Sequence, residues 1–430
     1  VSRKVFCVAY GGGHIRIVDL IARELQRAPD TELTILALTV AYPQVVHCYP
    51  AGVVKRLSDY LPLFDDILEE AVRHGFELLG DSHNPHSGIP KIESVAYLGL
   101  SFCDLVAEKG ETAARSAYAE AQRKAFLPVG VLTRILEHER PDVVLTTNSP
   151  RCERAALMAA NRLEIPTVQV VDLFDYVVPP PEAKHIVVMN ERSAQAFRER
   201  GLGDREYYPF GQPVLDETAK AVQLTDATAC RARLGIPADA KVLLLAAGPL
   251  MRFEKELSVG QRVPYDAVYP QLFELLRRVS EAEGAHVVVR IHPNERFEDY
   301  APWFARYPQF HYANDRLDVT ESLAVCDCLL THFSTMGLQA IVCGKTVITY
   351  LHDCDGVAPL PRMTEPPFLF ADGLNELEQV LCRALREGGS SRETHNFYTP
   401  GAAEKTVELV LRLADGHRAA VNVPARDRPE

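Results

Sequence analysis

The chain has 430 residues, 47% hydrophobic and 24% charged, with a formal net charge of −12. That length exceeds what one ordinary core fills and predicts two domains. The acidic balance argues against nucleic acid as a partner and against a polybasic membrane patch, but not against a phosphate-bearing small ligand in a locally positive cleft.

The ten cysteines are scattered, several inside apolar runs such as Phe6-Cys7-Val8, which is the usage of buried thiols and not of a disulfide scaffold. Cys326 and Cys328 near His332 are too few for a metal site, which needs three or four converging ligands. No apolar run reaches the roughly 18 residues of a membrane span. The N-terminus runs directly into a strand, unlike a signal peptide, so a cytoplasmic protein is expected, with peripheral membrane contact left open.

In chain order, Val5–Tyr10 reads as a buried strand, followed by Gly11-Gly12-Gly13-His14 and a helix to about Arg27. Leu33–Leu38 is the next strand. Residues 57–140 read as a helical insertion with one long polar loop around Asp81–His86, the kind of segment that shapes an acceptor site. Strands are then expected at Pro141–Thr146, Pro166–Val171 and His185–Met189, with a helix through Ala155–Arg162. Near-continuous Val/Ile/Leu strands separated by helices predict a parallel sheet covered on both faces. Phe210 to about Asp226 reads as a linker. A second α/β unit begins near Lys241, with strands at Val242–Ala246, His286–Ile291, Cys328–Thr331 and Val347–Leu351. The expected fold class is therefore α/β, two doubly wound Rossmann-like domains facing across a cleft. The boundaries are 1–214 for the first domain, 215–415 for the second, closed by a helix at Ala402–Leu413, and 416–430 for a disordered tail.

Open α/β folds bind ligands at the carboxyl ends of their strands, which singles out seven segments. Gly12 and Gly13 allow a tight turn with close backbone approach, and His14 opens the following helix. Asn148, in the turn after the Pro141–Thr146 strand, is either a site residue or a helix cap, and Asp172 follows the next strand. In the second unit, Gly248 and Arg252 follow the first strand, and His292 and Asn294 the second. His332, Ser334, Thr335 and Gly337 run from strand into helix, where hydroxyls and backbone N–H groups suit a diphosphate. Gln339, one turn on, could reach a ribose, and Asp353 lies in a loop at the same end.

These segments resemble the GT-B superfamily, which joins nucleotide-sugar glycosyltransferases with the UDP-N-acetylglucosamine 2-epimerase group. The glycine turn ending in His14 is similar to the first loop of many GT-B transferases, where a histidine serves as base toward the acceptor hydroxyl. Phe210-Gly211-Gln212-Pro213-Val214, Ile291-His292-Pro293-Asn294, the run from Asp318 to Ile348 and Gly401-Ala402-Ala403-Glu404-Lys405 resemble segments of the epimerase group. The chain departs from that group in carrying Gln339 where many members have Glu, and Phe333-Ser334-Thr335 in place of a Ser-Gly-Gly turn. It also lacks the His-Arg-Arg-Glu-Asn and Gly-Thr-Arg-Pro-Glu segments.

The resemblance with these departures implies a glycosyltransferase of cell-surface or capsular glycan synthesis. It would take a nucleotide-sugar as substrate and a glycan or lipid-linked acceptor, with no cofactor and no metal. His14 would be the base, oriented by Asn148 or Asp172. The alternatives are an epimerase or hydrolase using carboxylates such as Asp104, Glu108, Glu153 or Asp172, and a non-catalytic sensor on the same fold.

Overall fold

The computed structural model describes residues 2–80, 83, 87–174, 180–248, 265–292, 295–332, 334–351, 362–387 and 397–422. The chain divides into two compact units, Val1–Val214 with Thr399–Glu430, and Leu215–Tyr398.

Among the described residues the first unit has seven strands: β1 (Arg3–Ala9), β2 (Thr31–Ala37), β3 (Val54–Lys55), β4 (Val143–Thr146), β5 (Thr167–Val170), β6 (His185–Val187) and β7 (Glu206–Tyr208). All pair in parallel, in the order β3-β2-β1-β4-β5-β6-β7. Val5 to Ala9 and all of β4 are buried, which is why these strands read as unbroken apolar runs and not as alternations. The chain leaves β1 toward one edge and returns on its other side at β4, with Val8 opposite Thr146. The loops leaving β1 and β4 therefore flank a topological switch point at the carboxyl edge.

The second unit repeats the plan with six described strands: β8 (Lys241–Ala246), β9 (Ala285–Arg290), β10 (Phe310–Tyr312), β11 (Cys328–Thr331), β12 (Thr346–Leu351) and β13 (Leu369–Asp372). Their parallel order is β10-β9-β8-β11-β12-β13. Its switch point lies between β8 and β11, where Ala246 stands opposite Thr331.

The insertion between β3 and β4 contains the helices Leu68–Leu79, Lys91–Lys109, Glu111–Ala121 and Val129–Glu139. The first two pack backbone to backbone at two glycines. A Cβ at Gly99 would stand 1.8 Å from the Ala71 carbonyl oxygen, and one at Gly75 would stand 2.2 Å from that of Val95. Gly99→Ala must push the helices apart and is expected to lower stability by at least 1–3 kcal/mol, roughly the range for overpacking. Denaturant titration checks this, and an unchanged midpoint would contradict the close approach.

Three sequence expectations change. The segment read as a linker contains the helix Pro213–Leu224, with proline at its first position, where a missing N–H is harmless. The helix Ala402–Asn422, expected to close the second domain, packs on the first. Its Val407, Leu409, Val410 and Ala414 join Ile15, Ile17 and Val18 in one core, and Arg3 pairs with Asp415 at 2.7 Å. That helix also runs past the expected tail start at 416, to Asn422. Among the described residues, no helix is long and apolar enough to cross a membrane.

Candidate active site

The helix Gly13–Arg27 begins directly after the turn leaving β1, and no side chain caps its N-terminus. Gly12 has φ 77°, the left-handed conformation that favours glycine. Gly11 allows a close approach, since a Cβ there would lie 2.1 Å from Val40 Cγ2. This tight turn places half-buried His14 as the second residue of the helix, beside the loop leaving β4.

His14 Nδ1 lies 2.7 Å from Thr147 Oγ1. The Thr147 hydroxyl in turn donates to Glu153 Oε2 at 2.5 Å. Glu153 is fully buried and also accepts from the backbone N–H of Tyr10 (2.8 Å), Thr147 (3.1 Å) and Ser149 (3.3 Å). Burial pushes its carboxyl up from the ordinary range, and His14, Thr147 and the backbone N–H groups of Tyr10 and Ser149 pull it back. Four donors meeting one carboxyl match the ionised, acceptor-only form. Thr147 has one proton and gives it to Glu153, so its oxygen accepts Nδ1–H from His14. That assigns the lone pair to Nε2, which has no hydrogen-bond partner among the described residues. The arrangement orients the ring so that Nε2 of the neutral tautomer could accept a proton.

The group that holds His14 is thus Thr147, backed by Glu153, and not Asn148 or Asp172. Asn148 Oδ1 accepts from the backbone N–H of Asp172 at 3.1 Å, and Gln212 donates to the Asp172 carbonyl at 3.1 Å. The first bond ties the turn after β4 to the turn after β5 and the second ties the latter to the segment after β7, so the Asn148 side-chain carbonyl oxygen is engaged there and not with the imidazole. Nor does Asn148 cap the following helix, whose N-cap is Arg151. Among the other carboxylates considered, Asp104 accepts from the backbone N–H of Gly130 at 3.2 Å, and Glu108 pairs with Lys109 on an exposed helix end. Both have local structural partners. Sequence reasoning passed over Thr147 and named Glu153 only as a carboxylate of the alternative reading. The available signal was an acid in the first turn of a helix otherwise buried nearly all round, where an ion needs several donors.

In the second unit, the turn after β11 is locked by Thr331, whose hydroxyl donates to the Ala246 carbonyl at 3.0 Å and accepts from Ser334 N–H at 3.1 Å. Ser334 Oγ accepts from Met336 N–H at 3.2 Å, and Thr335 is exposed. Gly337 is buried, and a Cβ there would press on Met363, Thr331 and Val347 at 3.3–3.4 Å, so its smallness serves helix–sheet packing. The Gln339 amide donates to Thr218 Oγ1 at 3.3 Å, within the protein. The Gly248 carbonyl accepts from Tyr269 at 3.0 Å, and His332 lies edge-on to Tyr350 at 5.7 Å. Half-buried His292 has its pKa lowered by burial. The switch point of this sheet thus brings together Gly248, His332, Ser334 and Thr335. Arg252, Asn294 and Asp353 lie outside the described residues. No group of three metal-ligating side chains is present among the described residues.

A family model described as CDP-Glycerol:Poly(glycerophosphate) glycerophosphotransferase matches residues 172–357. No curated protein matches the sequence. Among solved structures, the chain is similar to UDP-GlcNAc 2-epimerase from Methanocaldococcus jannaschii, with 13% identity, TM-score 0.58 and coverage of 95% of this chain and 99% of that one. It is likewise similar to the Neisseria meningitidis UDP-GlcNAc 2-epimerase bound to UDP-GlcNAc (12%, TM-score 0.58, coverage 95% and 100%). A third similar structure is Acinetobacter baumannii MurG (11%, TM-score 0.50, coverage 96% and 100%). At these identities the likeness establishes the fold: the chain has the GT-B fold, as the resemblance read from its residues implied.

Proposed function

We propose that the protein transfers a sugar or glycerophosphate group from a nucleotide-activated donor to an acceptor hydroxyl, in the synthesis of a cell-surface glycan. The observation that carries this reading is the His14–Thr147–Glu153 chain, which leaves Nε2 as a base at the switch point of the first sheet. In the step, Nε2 takes the acceptor proton as the acceptor oxygen attacks. If the electrophile is a sugar, its C1–O bond breaks and the nucleoside diphosphate leaves. If it is a glycerophosphate, the bond between the two phosphates breaks and the nucleoside monophosphate leaves. The match to the glycerophosphotransferase model favours the second. The role of His14 is the same in both.

The switch point of the second sheet is the proposed place of the activated donor. Ser334→Ala combined with Thr335→Ala should weaken binding of that donor by about 10-fold or more, since charge-assisted hydrogen bonds to phosphate contribute about 1.5–3 kcal/mol each. Calorimetry on the folded double variant reads this, and unchanged affinity would remove the two hydroxyls from the site.

Product analysis with CDP-glycerol and UDP-sugars tests the reaction class. Transfer needs both substrates. Return of an isomer from the UDP-sugar alone would make the protein an epimerase and overturn the proposal.

A further inference from the structure

A cavity of about 210 Å³ opens within the first unit, between the insertion and the carboxyl edge of its sheet. A single water needs only about 10–15 Å³ by the comparable measure, so the space suits a small ligand. Its wall includes Tyr10, Val40, Glu93, Tyr97, Arg123 and Arg151. Tyr10 ends the strand before the glycine turn, and Val40 is the residue that Gly11 makes room for. Arg151 belongs to the same loop as Thr147 and immediately precedes the helix that carries Glu153. The cavity thus shares its frame with the His14 chain.

The charges of the wall are unbalanced. Neither Arg123 nor Arg151 pairs with a carboxylate among the described residues, and Arg151 Nε is buried with no hydrogen-bond partner. Two guanidinium groups without a counter-ion in the wall of a cavity favour an anion there. The Arg151 guanidinium lies 4.8 Å from the centre of the Tyr10 ring, a contact that fixes the group without using its N–H fork. The one carboxylate of the wall, Glu93, is already held by the backbone N–H groups of Leu57 (3.2 Å) and Ser58 (2.8 Å). Tyr10 and Tyr97 bond to each other through their hydroxyls at 3.1 Å. What remains without a partner is cationic, planar and forked, which suits an oxyanion, and the match to a glycerophosphotransferase model makes phosphate the anion to test.

We propose that this cavity is a binding site, formed by Arg151 and Arg123, for a phosphate group of the acceptor. This rests on the reading of the first unit as the acceptor side. Binding is measurable without turnover, which separates the two ideas. Calorimetry on the full chain with sn-glycerol 3-phosphate and with glycerol should give at least 10-fold tighter binding of the phosphorylated compound. Arg151→Gln and Arg123→Gln should each weaken it by about 10-fold, and together abolish it, with Arg151→Lys intermediate because a point charge replaces the fork. Arg123 is exposed, so its variant tests the site even if Arg151→Gln unfolds. Parent-like binding of sn-glycerol 3-phosphate in a folded double variant, or no binding by the parent protein, overturns the proposal. If sn-glycerol 3-phosphate binds through the arginines while no donor is ever transferred, the phosphate site stands and the transferase reading falls. If transfer proceeds equally well in the double arginine variant, the phosphate site falls and the transferase reading stands.

Discussion

His14→Ala is expected to lower turnover by about 10²–10⁴-fold, the usual contribution of a positioned general base. The reasoning starts from the proton. An acceptor hydroxyl is a weak nucleophile until a base removes its proton, and His14 Nε2 is the lone pair that the hydrogen-bond chain leaves available. Binding of the activated donor should be unchanged, because its proposed contacts belong to the second unit. Turnover at saturating substrates and affinity for the activated donor, measured on the same folded sample, decide the matter. Near-normal turnover would rule out His14 as the base and leave its ring a packing element of the turn.

The second large effect is expected at Thr147, which acts through His14 and is a positioning residue. Thr147 is fully buried, so Thr147→Val keeps the volume and shape and removes only the hydroxyl. The imidazole then loses the acceptor for Nδ1–H, and Glu153 loses one of its four donors. Loss of a group that fixes tautomer and orientation commonly costs 10–100-fold and reaches about 10⁴ in a catalytic triad, and about 10² is expected here. The loss should fall on kcat, with the acceptor KM and affinity for the activated donor held. Thr147→Ser keeps the hydroxyl and should restore most of the turnover, which separates positioning from packing because the serine leaves the larger void. Equal activity in the Val and Ser variants would mean that the chain from Glu153 does not set the imidazole.

The alternation of apolar strands and helices determined the parallel α/β class, because a strand buried on both faces must be apolar throughout, as β4 is. The same pattern located the strand ends, and with them the turns that hold Gly12, Gly13, His14, Ser334 and Thr335, since the order of strands and helices is read directly along the chain. Packing partners were not legible. The helix Ala402–Asn422 has an apolar stripe that could cover either sheet, and only the fit of Val407 and Val410 against Ile15 and Val18 assigns it to the first unit. Nothing in the sequence marks Gly75 and Gly99 as the points at which two helices meet.

The partner of His14 was hidden for a related reason. Asn148 and Thr147 are neighbours in sequence, and which of them meets the imidazole depends on how the turn after β4 is wound. Glu153 winds it, by drawing Tyr10, Thr147 and Ser149 onto one buried carboxylate. The amino-acid sequence by itself thus determined the fold class and which strand ends could carry chemistry, because periodicity and chain order are local properties. Tertiary structure alone decided which side chains complete the site, because hydrogen bonds across 133 and 143 residues depend on the sheet register that brings β1 and β4 together.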